Sequence, residues 1–230
     1  KKLRTTKPIR NALRDTAHSQ TVGHNVKMKL DEIKITPKDP NERFHFNGRS
    51  LDFTLVDFWT WNQSDLIENR NRGILAEFLV RQALGLDNPT RLEWDAFDLI
   101  TSDGLKIEIK SAAYIQAWKQ KKYSSISFDI KPTKTLLADN NYSTESTRQS
   151  DIYIFCLLHH KDQDTIDPMN LDQWTFYLTT TEILNKQLPE QKSISISTIE
   201  TIQHEKCTFT ELKDRFEKIK HTVSNKIIKK

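Results

Sequence analysis

The sequence predicts an α/β (α+β) domain with a central mixed β-sheet flanked by helices, and three observations predict it. Apolar residues recur at helical spacing from Arg70 to Leu84 and stop at Gly85. Two strand-like segments, Phe97–Ile100 and Leu105–Lys110, flank the turn signal Ser102-Asp103-Gly104. Two more strand-sized segments, Asp151–Leu158 and Trp174–Leu178, follow, joined by a loop that contains Pro and Asp.

Taken in order along the chain, Val26–Ile35 alternates loosely, as a strand does, until Pro37 and Pro40 stop it. Phe53–Trp61 is apolar and aromatic and reads either as a strand or as the start of a helical layer. In the Arg70–Leu84 helix, Ile74, Leu75, Phe78, Leu79 and Leu84 form the apolar face, and Gly85 supplies the C-cap. Glu77 lies at the edge of that face, which suits an acid aimed into a cleft and equally an ordinary boundary glutamate. In the second of the paired strands Leu105, Ile107 and Ile109 face one way, and Lys106, Glu108 and Lys110 the other. A hairpin there brings Asp98 back beside Glu108 and Lys110. Ala112–Lys122 reads as a short helix or an ordered loop, Ile126–Ile130 as a strand and Lys134–Gln149 as a polar surface loop. Residues 180–188 and 209–219 read as helices, and Ser193–Ser197 alternates.

Composition excludes more than it identifies. With 35 Lys and Arg against 31 Asp and Glu, the formal charge of +4 is not diagnostic, but its distribution is uneven. Residues 1–14 carry six basic side chains and no acid, and the last thirteen residues carry five lysines and no acid. Such arms gain free energy along a polyanion by counterion release, or are simply solvated termini. No run of about 18 apolar residues occurs, so no membrane span is expected. Cys156 lies among Phe155, Leu157 and Leu158 and reads as a buried thiol. Neither it nor Cys207 has metal-ligand spacing, which fits a reducing, cytoplasmic setting. No signal-peptide pattern opens the chain, and its first residue, Lys1, fits a processed chain or part of a longer one. The seven histidines lack zinc-ligand spacing, the five glycines form no phosphate-cradling loop, and no nucleophile elbow is present. Zinc, ATP-driven and serine-hydrolase chemistries are therefore not expected.

One constellation carries chemistry. Hydrolysis of a phosphodiester needs a polarised phosphorus, an activated water and relief for charge on the leaving oxygen, and Mg²⁺ held by carboxylates meets these needs. Asp98 and Glu108 are the candidate side-chain ligands, and the Ile109 carbonyl is a third oxygen. Lys110 shares the Glu108 face and serves either to activate water or to stabilise the pentacovalent phosphate. Glu77 is placed to bind a second metal ion or a metal-bound water. An E-x-K on a strand is by itself common on solvated faces. The ordered set gives it weight: a helix bearing an acid, an Asp opening a strand, a tight turn, then E-x-K.

On Glu77, Phe97-Asp98 and Glu108-Ile109-Lys110, across residues 65 to about 180, the chain resembles the PD-(D/E)XK, or restriction-endonuclease-like, nuclease superfamily. The resemblance implies a core of four mixed strands flanked by helices. It also implies metal binding by the matching Asp and Glu, with the helix Glu often joining, and a water-activating Lys. Phe97 stands where the family usually has Pro. The division that follows is an N-terminal extension over residues 1–60 and a nuclease domain over residues 61–230. Members frequently carry a polar Ser or Gln just after the Lys, near the DNA, and Ser111 and Gln116 match. Lys119, Lys121 and Lys122 are candidate phosphate contacts or a plain basic turn. The expected activity is Mg²⁺-dependent cleavage of double-stranded DNA of the restriction type, with a homodimer and a cognate methyltransferase as partners. Three rivals stay open: a repair or junction nuclease reading DNA shape, a non-catalytic DNA-binding module on the same fold, and a nuclease acting on RNA.

Overall fold

Seven consecutive residues, Ile-Tyr-Ile-Phe-Cys-Leu-Leu, are all buried, as expected of a strand covered on both faces. They form the centre of a five-stranded mixed sheet in a computed structural model that describes residues 33–87, 89–91, 96–136 and 141–227. Residues 35–230 form one unit, and the other, residues 1–34, lies almost wholly outside the described residues.

In chain order the described elements are β1 (Arg43–Phe46), β2 (Arg49–Thr54), α1 (Leu55–Gln63), α2 (Asn69–Leu84), β3 (Leu99–Ile100), β4 (Lys106–Ala113) and β5 (Ser127–Asp129). Then come β6 (Thr133–Leu136), β7 (Tyr142–Thr147), β8 (Ile152–Leu158), a 3₁₀ turn at Leu171–Gln173, β9 (Trp174–Thr180) and α3 (Thr181–Gln187). The last elements are β10 (Ser193–Ser195), α4 (Ile196–Ile199), β11 (Glu205–Cys207) and α5 (Leu212–Ile227).

The main sheet runs β11-β9-β8-β4-β3, with β4 parallel to β8 and the other neighbours antiparallel. One face packs Ile107, Ile109, Ile152, Ile154 and Cys156 against Ala76, Leu79, Val80 and Leu84 of α2 and Leu212, Phe216 and Ile219 of α5. The other packs Tyr153, Phe155 and Leu157 against Phe128, Leu184, Ile194 and Ile199, from β5, α3, β10 and α4. The α+β architecture expected from the sequence is therefore observed. Both cysteines are free and buried. No helix among the described residues is long and apolar enough to cross a membrane.

Local chemistry sets the ends of α2. The Glu68 carboxylate accepts from the backbone N–H groups of Arg70 and Asn71, and Gly85 closes the helix at φ 66°. Gly85 N–H donates to the Gln82 carbonyl and Leu86 N–H to that of Arg81, which makes a Schellman ending. Phe78, expected on the buried face, is instead 49% exposed, because the face under the sheet runs through Ala76, Leu79, Val80 and Leu84.

Several expectations change. Phe53–Trp61 divides at Thr54, where β2 ends and α1 begins; the Thr54 N–H and hydroxyl both donate to the Asp57 carboxylate. Asn47 and Gly48 turn β1 into β2 with positive φ at both positions, as a two-residue hairpin requires. Lys134–Gln149 is not simply a loop, because β6 and β7 pair antiparallel through it; their threonines suit strands although the segment is polar. Ala112 and Ala113 extend β4, and no helix forms through Lys122. Most of the Val26–Ile35 segment and the basic residues 1–14 lie outside the described residues. At the other end, Lys218 pairs with Glu205 at 2.6 Å and Lys220 with Asp103 at 3.0 Å, so two C-terminal lysines already have acidic partners.

Candidate active site

Strand alternation builds the site from β4. Ile107 and Ile109 are buried under α2, which leaves Glu108 and Lys110 on the opposite face, part-buried. The turn through Gly104 (φ 87°) returns the chain so that Asp98 N–H donates to the Ile107 carbonyl. The Asp98 carboxylate then accepts from Ile109 N–H at 2.6 Å. That bond sets Asp98 at the edge of β4, level with the residue between Glu108 and Lys110. In an extended strand the N–H and C=O of one residue point to the same side, so the Ile109 carbonyl faces the Asp98 edge too.

The electrostatics follow from this crowding. Burial, and after it the negative charges of Glu108 and Glu77, push the Asp98 carboxyl up to about 7. Its Oδ1 accepts no hydrogen bond among the described residues. Lys110 Nζ donates to Glu108 Oε1 at 2.5 Å, and Ser150 Oγ donates to Glu108 Oε2 at 3.1 Å. Burial pulls the Lys110 pKa down, but the charge and hydrogen bond of Glu108, helped by Asp98 and Asp129, outweigh it and leave the ammonium favoured.

The expected residues divide between two clefts, one on each side of the β4 edge. Glu77 and Asp98 line a cleft of about 290 Å³ together with Ile74, Phe78, Arg81 and Arg91. Here the Glu77 carboxylate is spanned by Arg91, whose Nε and Nη2 donate at 2.5 and 3.0 Å. Glu108 and Lys110 line a polar cleft of about 80 Å³ with Asp129, Lys131, Arg148 and Tyr153. Among the described residues, no three His, Cys, Asp or Glu side chains form a group that could hold a metal ion.

Ser111 and Gln116 are held from within. Arg72, only 3% exposed, donates to Ser111 Oγ at 3.1 Å, Ile67 O at 2.8 Å, Asn69 Oδ1 at 2.6 Å and Gln116 Oε1 at 3.4 Å. Gln116 is itself buried and donates to the Ala113 carbonyl, while Ser111 is part-buried. Lys119, Lys121 and Lys122 are exposed on the segment that follows β4.

The residues that sequence reasoning missed are Arg91, Ser150, Asp129, Arg148 and Tyr153. Tyr153 reaches the site because β4 and β8 pair in parallel, with Glu108 opposite it in register. Burial first, then Glu108, raises its phenol above the ordinary tyrosine value. No local pattern announces a partner 45 residues away.

The sequence profile of the bacteriophage T4 endonuclease IV family matches residues 21–198, more than three quarters of the chain. The chain belongs to this family. Glu77, Asp98, Glu108, Lys110 and Tyr153 all fall inside the matched span, while helix α5 falls outside it. The chain is thus placed in a family of nucleases. Comparison with curated proteins returns no match.

Proposed function

We propose that the chain is a Mg²⁺-dependent endonuclease that hydrolyses DNA phosphodiesters at Asp98, Glu108 and Lys110, on a core of the PD-(D/E)XK type. One observation carries this reading: the Asp98 carboxylate bound to Ile109 N–H, which gathers a buried acid, a second acid and a cation around one strand edge inside an endonuclease family.

The residues suit the metal. Asp98, Glu108 and the Ile109 carbonyl offer only oxygen, as a hard divalent cation prefers, and Asp98 Oδ1 accepts no other hydrogen bond among the described residues. Mg²⁺ is commonly held by one or two carboxylates with waters and substrate phosphate completing its shell, so a protein group of three acids is not required. A cation there also offsets the burial and, after it, the carboxylate repulsion that raise the Asp98 carboxyl. Glu77 would join only by giving up Arg91. When bound, Mg²⁺ supplies Lewis-acid polarisation of the phosphoryl group and offsets charge on the leaving oxygen. Glu108 orients Lys110 by the bond to Nζ, and the Ser150 hydroxyl fixes the other Glu108 oxygen. Lys110, kept cationic, acts as a fixed positive charge on the crowded phosphate rather than as the base that takes the water's proton. The exposed Lys119, Lys121 and Lys122 are available to backbone phosphates, and this contact strengthens binding without reading sequence.

The test is cleavage of duplex plasmid and of single-stranded circular DNA, each with Mg²⁺ and with EDTA. Metal-dependent cutting is expected. Discrete fragments from the duplex support the restriction-type form, with its dimer and methyltransferase, while cutting at structural irregularities supports the repair form. Full activity in EDTA would overturn the metal reading.

A further inference from the structure

The cleft beside Glu108 and Lys110 contains a hydroxyl without a partner among the described residues. Tyr153 is 4% exposed, yet its hydroxyl makes no hydrogen bond with any described residue. A buried hydroxyl left unpaired is costly, so one that lines a polar cavity points to solvent or ligand within it. The other polar groups of the cleft mostly have partners. Arg148 donates to the carbonyls of Ile130, Leu188 and Gln191 and to Asn185 Oδ1, and Asp129 Oδ1 accepts from Lys131 N–H. Size selects the occupant. About 80 Å³ is far below the few hundred Å³ of a typical small-molecule pocket, but it has room for two or three waters at about 30 Å³ each.

We propose that Tyr153 is a positioning residue that, with Lys110, holds ordered water in this cleft and presents one molecule of it to the scissile phosphate. This rests on the endonuclease reading above. In the attack, the water oxygen bonds to phosphorus and the bond to the leaving sugar oxygen breaks with its electron pair. The proton of the water passes through the remaining cleft waters to solvent, and the leaving oxygen takes a proton from solvent. Tyr153 exchanges no proton. Its O–H fixes where the water oxygen sits, and misplacing a reacting atom by about 1 Å costs about 100-fold in rate.

Two measurements test it. A high-resolution crystal structure of the metal-free protein is expected to show a water within hydrogen-bond distance of Tyr153 Oη; a dry cleft, or a hydroxyl bonded only to protein, would overturn the proposal. In Tyr153→Phe, kcat for DNA cleavage is expected to fall about 10- to 100-fold with KM unchanged. The melting temperature is expected to hold or rise, because the lost hydroxyl has no partner among the described residues. An unchanged kcat, a change confined to KM, or a drop in melting temperature would each count against Tyr153. If the wild-type chain cuts no DNA at all, the endonuclease reading fails by itself, and the crystallographic arm still decides whether the cleft holds water.

Discussion

Strand β8 and the hairpin β1–β2 with its helix α1 are all rich in large apolar side chains, and they meet opposite fates. Every residue of β8 is buried, whereas Phe44, Phe46, Phe53, Val56, Phe58, Trp59 and Trp61 are each at least 38% exposed. Composition does not decide this; cover does. β8 has β4 and β9 on its edges and packed elements on both faces, while among the described residues β1 and β2 pair only with each other. The closest aromatic pair in the hairpin, Phe44 and Phe53 at 4.9 Å, is a contact within it. Stability therefore belongs to the sheet, and the sheet is what holds the Glu108–Lys110 strand in register with β8 over seven residue pairs.

The sharpest way to break this contrast is Phe155→Ala. Phe155 is fully buried against Phe128, and its truncation is expected to cost roughly 3–5 kcal/mol, read as a large fall in melting temperature. A smaller effect is expected at the strand edge, where the proposed role of Asp98 opposes stability. A carboxyl of ordinary pKa near 4 when unfolded and about 7 when folded binds more protons in the folded state across that interval. Metal-free protein should be most stable, as far as Asp98 is concerned, below about pH 4 and lose stability as pH rises to about 7. Asp98→Asn, whose amide oxygen can still accept the Ile109 N–H, should flatten that slope and stabilise the metal-free protein at pH 8 by on the order of 2 kcal/mol while removing activity. Urea denaturation across pH 4–8 checks both. The smallest effect is expected in the hairpin region, where Trp61→Ser should change stability by no more than about 0.5 kcal/mol. A loss of several kcal/mol there would mean that α1 is covered in solution by more than the described residues.

The same contrast explains what the sequence revealed. β4, β8 and β9 were legible because alternation and unbroken apolar runs are local patterns, and the hairpin through Ser102-Asp103-Gly104 was enough to bring Asp98 to Glu108 and Lys110. The β1–β2 hairpin had a local signal as well, Asn47-Gly48, but exposed aromatics gave it no alternating apolar face. Phe78 misled because helical spacing shows which residues share a face, not how far the packed stripe extends. The pairing of Glu77 with Arg91 and the arrival of Ser150 and Tyr153 beside Glu108 arise from tertiary contacts, the last two through the parallel β4–β8 pairing, and these leave no short-range trace.

Cleavage by Glu108→Gln, measured beside wild type in Mg²⁺, decides whether the chemistry resides at the β4 edge. With an unchanged circular dichroism spectrum and melting temperature, the variant is predicted to lose at least about 100-fold in rate. A folded Glu108→Gln protein that cuts DNA at the wild-type rate would place the chemistry elsewhere.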